Sequence, residues 1–260
     1  MPLIHSQKQY DSLYVDFEYF VRNYDELVRY VSEIILGRAE HISRVIRTLN
    51  PKFPKDKKEI ILSHIDTLNN KPSDHIDGYL FQMISWIALS IQYKDQAFYQ
   101  NAPHKQPAMH GFDGLAVTLT STGELDKIII TEDKCTEYER DRIRDEVFPD
   151  IENLEKHKED HGLSNELSVL LKGIMDDDHL LSIEDNVYDL THRIYRIGIT
   201  RSDKYNTDKK RLNLFKGYDQ VCDHPDKRTA STIHIPQLRS WILQFRNDVI
   251  SHLKQRAKNV

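Results

Sequence analysis

Within His110–Arg140, HGFDGLAVTLTSTGELDKIIITEDKCTEYER, three residues have the types and spacing to do chemistry: Asp113, Glu132 and Lys134. Side chains two apart on a strand share a face, so Glu132 and Lys134 point the same way. If a hairpin turn is centred between Thr122 and Gly123, then Ser121 faces Glu124, Thr120 faces Leu125 and Asp113 faces Glu132. Residues directly opposed on one face have Cβ atoms roughly 4.5–5.5 Å apart. Two carboxylates at that separation repel unless a proton or a cation lies between them. Mg²⁺ (or Mn²⁺) resolves this, because such an ion is held by one or two carboxylates plus waters and substrate phosphate. With Lys134 beside the pair as a point charge, this is the residue set for metal-assisted phosphodiester hydrolysis.

The elements that must position these residues are legible around them. Leu115, Val117 and Leu119 alternate with Ala116, Thr118 and Thr120, and a second run, Leu125–Lys134, rises through Ile128, Ile129 and Ile130. Period-2 patterning on both sides of a short polar turn predicts a β-hairpin. Thr136 with Glu139 forms a T-x-x-E capping box, which predicts a helix starting at Thr136. Ser73–Phe98 is apolar nearly all round, so it reads as a buried helix packed on the hairpin. Tyr99–Met109 reads as a loop that leads to His110, next to the proposed site.

An acid-x-Lys triplet says little by itself in a chain that is 30% charged. Asp56-Lys57-Lys58 and Asp208-Lys209-Lys210 match it too, but neither follows an apolar β-branched run with an opposed Asp upstream. The competing reading makes Asp113 an Asp-Gly turn residue, with Glu132 and Lys134 as the polar end of a strand.

The order Asp, β-turn, then Glu-x-Lys on the next strand resembles the PD-(D/E)xK nuclease superfamily, here without a Pro before Asp113. The wording GFDGL followed by ITEDKCTE is similar to the HamA family, the nuclease subunits of Hachiman anti-phage defence systems, over roughly 77–140. The resemblance implies a restriction-endonuclease-like core and a Mg²⁺-dependent DNA endonuclease. It also implies regulation by a helicase subunit of the HamB kind. In such enzymes the first helix often brings another acidic residue to the metal; the nearest equivalent is Asp77, followed by Gly78. The same pattern gives the backbone carbonyl of Asp133 as a further metal ligand.

The 260 residues suffice for one large domain, and 39% hydrophobic content is compatible with a core. A net charge of −5 argues against a protein that coats DNA, though not against a nuclease with a local basic groove. Two cysteines, Cys135 and Cys222, far apart in sequence, do not suggest a disulfide scaffold and point to a reducing compartment. No signal pattern opens the chain, and the longest apolar-rich run, Phe81–Ile91, is too short to span a bilayer. The expectation is a cytoplasmic protein with no membrane contact.

Elsewhere, Leu13–Phe20 is compatible with a strand or a helix, while 25–36, 39–49 and 55–68 carry helical spacing. After Thr136, the stripe Ile143, Val147, Ile151 and Leu154 is interrupted by Pro149, which should kink or split the helix. The pairs His157/His161 and Cys222/His224 and the acid run Met175–His179 read as solvated or structural, because none has the spacing of a metal motif. RIYRIGIT (193–200) reads as a strand. From Arg193 to Lys216 eight Lys or Arg stand against two Asp, a local +6 inside a −5 chain. With Tyr195, Tyr205 and Phe215 interleaved, this predicts a phosphate-contacting flap, with Arg201, Lys204, Tyr205, Lys209, Lys210 and Arg211 as its nucleic-acid contacts. The tail, from Pro236 through Leu253, is an amphipathic helix that packs on the core or docks a partner.

The predicted architecture is α/β (α+β), a small mixed sheet flanked by helices. It forms one domain over 1–260, with a mainly helical N-terminal elaboration (1–72), a nuclease core (73–216) and a C-terminal helical segment (217–260). The alternative function is a non-enzymatic interaction subunit that uses the terminal helix. An NTPase is disfavoured because no G-x-x-x-x-G-K-[ST] loop is present.

Overall fold

The computed structural model describes residues 1–48, 55–109, 111–172, 183 and 186–260; His110 and the acid run Met175–His179 lie outside the described residues. The hairpin is present. β4 (Gly114–Leu119) and β5 (Leu125–Lys134) pair antiparallel, with Gly114 facing Thr131, Leu115 facing Ile130 and Val117 facing Ile128. That register places Asp113, immediately before β4, across from Glu132. Nearer the turn the expected pairing is off by one, because Leu119 and not Thr120 faces Leu125. The tight end is closed by Gly123 N–H donating to the Thr120 carbonyl (3.0 Å), with Gly123 at φ 87°. A left-handed glycine there favours a bulge. The extra residue is Asp126, whose carboxylate accepts from Thr118 Oγ1 (2.9 Å).

These strands belong to a seven-stranded mixed sheet of order β1-β2-β7-β6-β5-β4-β3. β6 (Arg193–Arg201) runs parallel to β5 and to β7 (Arg228–His234), and β7 runs parallel to β2 (Tyr14–Val21). β1 (Leu3–Tyr10) closes one edge antiparallel to β2, and β3 (Phe98–Gln100) closes the other against β4. The helical part of 1–72 therefore begins only at Tyr24, because the preceding hairpin extends the same sheet as the core. The segment 217–260 likewise contributes β7. Its sequence, RTASTIH, lacks the bulky β-branched run of β5.

α1 (Tyr24–Ile35), α2 (Ala39–Thr48), α3 (Lys58–Asn70), α4 (Ser73–Gln92) and the C-terminal helix Leu238–Lys258 gather one core with Tyr19 and Ile233 of the sheet. The helices spanning 139–171 and 208–221 cover the opposite face, packing on Leu115, Val117, Ile128, Ile130 and Ile197. The apolar stripe of the C-terminal helix, including Ile242, Phe245, Val249 and Leu253, is used inside the protein. That helix starts at Leu238, two residues after Pro236.

α4 packs on β5 as expected but ends at Gln92, not Phe98. The Phe98 ring stacks on Tyr93 (centroids 5.0 Å apart), and the chain turns back so that Phe98 faces Thr118 at the sheet edge. Phe98–Gln100 is therefore strand, although Tyr99 lies within the expected loop.

The helix after β5 begins at Glu139 rather than Thr136. Thr136 Oγ1 accepts from Tyr138 N–H (3.0 Å), but the Glu139 carboxylate accepts from Ser202 N–H (3.0 Å), so the reciprocal half of the capping box is not made. The helix does not break at Pro149. A π-helical turn, Ile143–Val147, precedes the segment Phe148–Glu155, and Phe148 N–H reaches back to the Ile143 carbonyl. The wider turn makes room for a proline ring that would press on an ordinary helical carbonyl four residues back.

Asp16 of β2 is 1% exposed and accepts from Thr232 Oγ1 of β7 (3.0 and 3.1 Å). Burial raises its pKa from 3.8 to about 7, against the lowering by Thr232 and Arg211. A carboxyl whose folded pKa lies above its unfolded one contributes stability that is complete below about pH 4 and lost as pH rises through about 7. Asp16→Asn keeps the hydrogen-bond acceptor without the charge. Its Tm should match wild type near pH 4 and exceed it increasingly up to pH 8, by about 2–4 °C for each kcal/mol recovered. Calorimetry across that range checks this, and parallel pH profiles for the two proteins would contradict it.

Candidate active site

Glu132 and Lys134 leave β5 on the face that Ile128 and Ile130 share, and the Lys134 ammonium lies 3.8 Å from the Glu132 carboxylate. Asp113 stands across the ladder. One of its carboxylate oxygens accepts from Asp133 N–H (2.9 Å), and its carbonyl accepts from Gln82 Nε2 of α4 (2.6 Å). Gly114 begins β4 and is not a turn residue, so the Asp-Gly turn reading of Asp113 fails.

Asp113 and Glu132 are close enough to share a hydrogen bond when one is protonated. Burial pushes the pKa of both up; the nearby Asp113 charge pushes Glu132 further, and Lys134 opposes the rise in each. Two carboxylates pressed together and drawn partly out of water prefer a shared proton or a cation.

Asp133 points to the opposite face, where its side chain is 4% exposed. It accepts from Ser85 Oγ (2.6 Å) and lies 3.7 Å from Arg196. Arg196 donates to Ser85 and to Ser231 of β7 (2.8 Å each), so α4, β5, β6 and β7 meet at one guanidinium. Burial raises the Asp133 pKa despite that cation. Across the ladder stands Gly198, where a Cβ would lie 1.8 Å from an Asp133 carboxylate oxygen.

The 139–155 helix supplies two acids that the sequence analysis does not single out. Glu146 lies 3.4 Å from the Lys134 ammonium, and Asp150 is close enough for its charge to raise the Glu132 pKa. They are four apart, each next to an apolar residue of the stripe Val147–Ile151, so the signal was an i,i+4 acidic pair on the flank of a core-facing helix. His104 also lies near enough to lower the Asp113 pKa. The site opens through a cleft of about 200 Å³ between α4 and the 104–109 loop, with Asp113, Asp133 and Lys134 on its wall.

Asp77 is not gathered with these groups. Its carboxylate is buried and pairs with Arg239 of the C-terminal helix (3.0 Å). Among the described residues, no three His, Cys, Asp or Glu side chains are clustered tightly enough to cage a metal. Asp113 and Glu132 are hard oxygen donors of the kind that Mg²⁺ takes together with water and phosphate.

The basic stretch is not a flap. Arg193, Arg196 and Arg201 lie in β6 and are 2% exposed or less. Arg193 pairs with Asp160 (2.8 Å), while Arg201 and Arg211 both pair with Glu18 of β2. Of the expected nucleic-acid contacts, Arg201 and Arg211 are thus structural and the ring of Tyr205 is 6% exposed. Lys204, Lys209 and Lys210 are exposed. No helix among the described residues is long and apolar enough to cross a membrane. No family model, curated protein or solved structure matches the chain.

Two stability measurements follow from this geometry. Gly198→Ala must displace a buried, hydrogen-bonded carboxylate and should cost about 1–3 kcal/mol, the usual range for overpacking; urea unfolding within 0.5 kcal/mol of wild type would refute the contact. Arg211→Ala leaves Glu18 paired with Arg201 but removes donors to Glu18, to the Tyr10 hydroxyl and to the Tyr205 carbonyl, and should cost about 1–3 kcal/mol, whereas Lys209→Ala should leave the melting curve unchanged.

Proposed function

We propose that this chain is a Mg²⁺- or Mn²⁺-dependent endonuclease that hydrolyses phosphodiester bonds in DNA. The observation that carries the reading is the register, with Asp113 across from Glu132 and Lys134 beside Glu132 on the same face at 3.8 Å. Taken with the resemblance to PD-(D/E)xK nucleases, the hairpin, β6 and the flanking helices are read as a restriction-endonuclease-like core. The HamA-like wording extends this to an anti-phage defence role in the cytoplasm, in which a HamB-like helicase subunit restrains or delivers the enzyme.

Asp113 and Glu132 would hold the metal, with the Asp133 carbonyl as a neutral third ligand. When bound, the ion supplies Lewis acidity toward the phosphate and lowers the pKa of a bound water. Lys134 orients the attacking water and offsets the negative charge that builds on the phosphate oxygens. Its contact with Glu146 aims the ammonium along the site before substrate arrives. Gln82 and the Asp133 N–H fix the backbone and carboxylate of Asp113, so that the pair does not spring apart when no cation separates it.

Plasmid DNA incubated with Mg²⁺ or Mn²⁺, with and without EDTA, tests the activity directly. Lys134→Ala leaves the two carboxylates and should lower kcat about 10²–10³-fold with little change in metal dependence. Glu132→Ala removes a ligand, so its residual rate should rise with metal concentration. Cleavage by Lys134→Ala at the wild-type rate would refute the assignment of the lysine, and no cleavage by wild type under any of these conditions would refute the nuclease.

A further inference from the structure

A second cleft, of about 350 Å³, lies where the 139–155 helix begins and faces the chain that follows β6. Tyr138, Arg140, Lys204, Tyr205, Lys210 and Asn213 line it, together with the acids Glu137 and Asp141. The acids are already paired, Glu137 with Arg239 (3.1 Å) and Asp141 with Arg144 (3.2 Å). Lys204 and Lys210 form no ion pair among the described residues, and Arg140 donates only to the Leu214 carbonyl (3.2 Å) and lies over the Phe148 ring. The cleft therefore presents unneutralised cations to an incoming ligand.

Tyr138 is 64% exposed, an unusual place for a large aromatic side chain that supports no core. Its backbone is nonetheless fixed, because its N–H donates to Thr136 Oγ1 (3.0 Å) and its carbonyl takes the first helical hydrogen bond, from Arg142 (3.0 Å). Tyr205, opposite, is held from beneath: its carbonyl accepts from Arg211 Nε (3.3 Å) and from Arg201 (3.4 Å). The two arginines that could not themselves reach a phosphate thus set the wall of a cleft that could. Along the helix, Glu139 and Glu146 are separated by about 10 Å at 1.5 Å per residue. Glu146 touches Lys134, so the helix that borders the cleft also reaches the candidate site.

We propose that this cleft holds an unpaired nucleotide of a DNA strand, its base stacked on Tyr138 and its phosphate on Lys204 and Lys210. The inference rests on the nuclease reading for the identity of the polymer. A ring on a rigid backbone beside unpaired cations is the combination used to bind single strands, where each base has a free π-face. In a duplex both faces of each base are already stacked, and the cleft is the size of a small-ligand pocket. The site therefore selects DNA that is single-stranded or locally opened.

Fluorescence anisotropy in EDTA, with a labelled 20-nucleotide oligo-dT and a hairpin duplex of equal charge, separates this from cleavage. Wild type should prefer the single strand about fivefold or more, a preference that Tyr138→Ala abolishes and Tyr138→Phe retains. Lys204→Ala with Lys210→Ala should weaken single-strand binding and flatten its dependence on log salt by about 0.7 for each phosphate no longer neutralised. Equal affinity of wild type for the two DNAs, or an undiminished preference in Tyr138→Ala, would overturn the assignment. A Tyr138-dependent preference in a protein that cuts nothing would sustain the cleft and refute the nuclease, whereas cleavage with no such preference would do the reverse.

Discussion

The Arg196 guanidinium, buried between α4 and the sheet, is the interaction on which the site geometry depends. It joins Ser85, Asp133 and Ser231, and so fixes the last residues of β5 relative to α4, β6 and β7. A carboxylate at 4% exposure needs partners, because a buried charge without them costs several kcal/mol. Once Asp133 is pinned on the α4 side, strand alternation leaves Glu132 and Lys134 no choice but the other face. The Asp133 N–H is then placed to receive the Asp113 carboxylate, so one clamp beneath the sheet sets three groups above it. Gly198 is part of the same constraint, since only a residue without a Cβ leaves the volume that the Asp133 carboxylate occupies.

On the working face the electrostatics are unbalanced. Asp113, Glu132, Glu146 and Asp150 converge on one lysine. Burial raises the affinity of the first two for a proton, and the Asp113 charge raises that of Glu132 further. Carboxylates this close repel one another when both are charged. The rest of the fold must hold the acids together against that repulsion, which explains why the supporting contacts to Asp113 come from two separate elements, Gln82 of α4 and the Asp133 backbone.

What was legible in the sequence follows from which signals are local. The β4–β5 hairpin, its register over Gly114–Thr118, the long helices and β6 all announce themselves through periodicity within one element. The one-residue slip at the turn did not, because Gly123 permits a left-handed turn that absorbs a bulge at Asp126. β7 was invisible because RTASTIH shows no apolar strand pattern, and its place follows only from its pairing between β2 and β6. Within the candidate site, Asp113, Glu132 and Lys134 were readable from strand geometry. Gln82, Ser85, Arg196, Glu146 and Asp150 come from other elements, and their relation to the three exists only after packing.

The basic stretch shows why net charge over a sequence window misleads inside an α/β fold. Counting gives +6 between Arg193 and Lys216, yet β6 is a central strand, and its three arginines are consumed by Asp160, Asp133 and Glu18, all from outside the window. Arginine suits this role because its planar fork donates to several backbone carbonyls and carboxylates at once, although the Nε of Arg193 and that of Arg201 make no hydrogen bond among the described residues. The four lysines of the stretch, 204, 209, 210 and 216, all remain at the surface. Residue type therefore separates the two jobs better than charge does. The arginines build the frame, and the Glu18 pair carries that frame through Arg201 and Arg211 to the carbonyl of Tyr205. The lysines are then presented on a rigid support, where a flexible loop would give up part of any phosphate binding energy to the entropy of ordering itself.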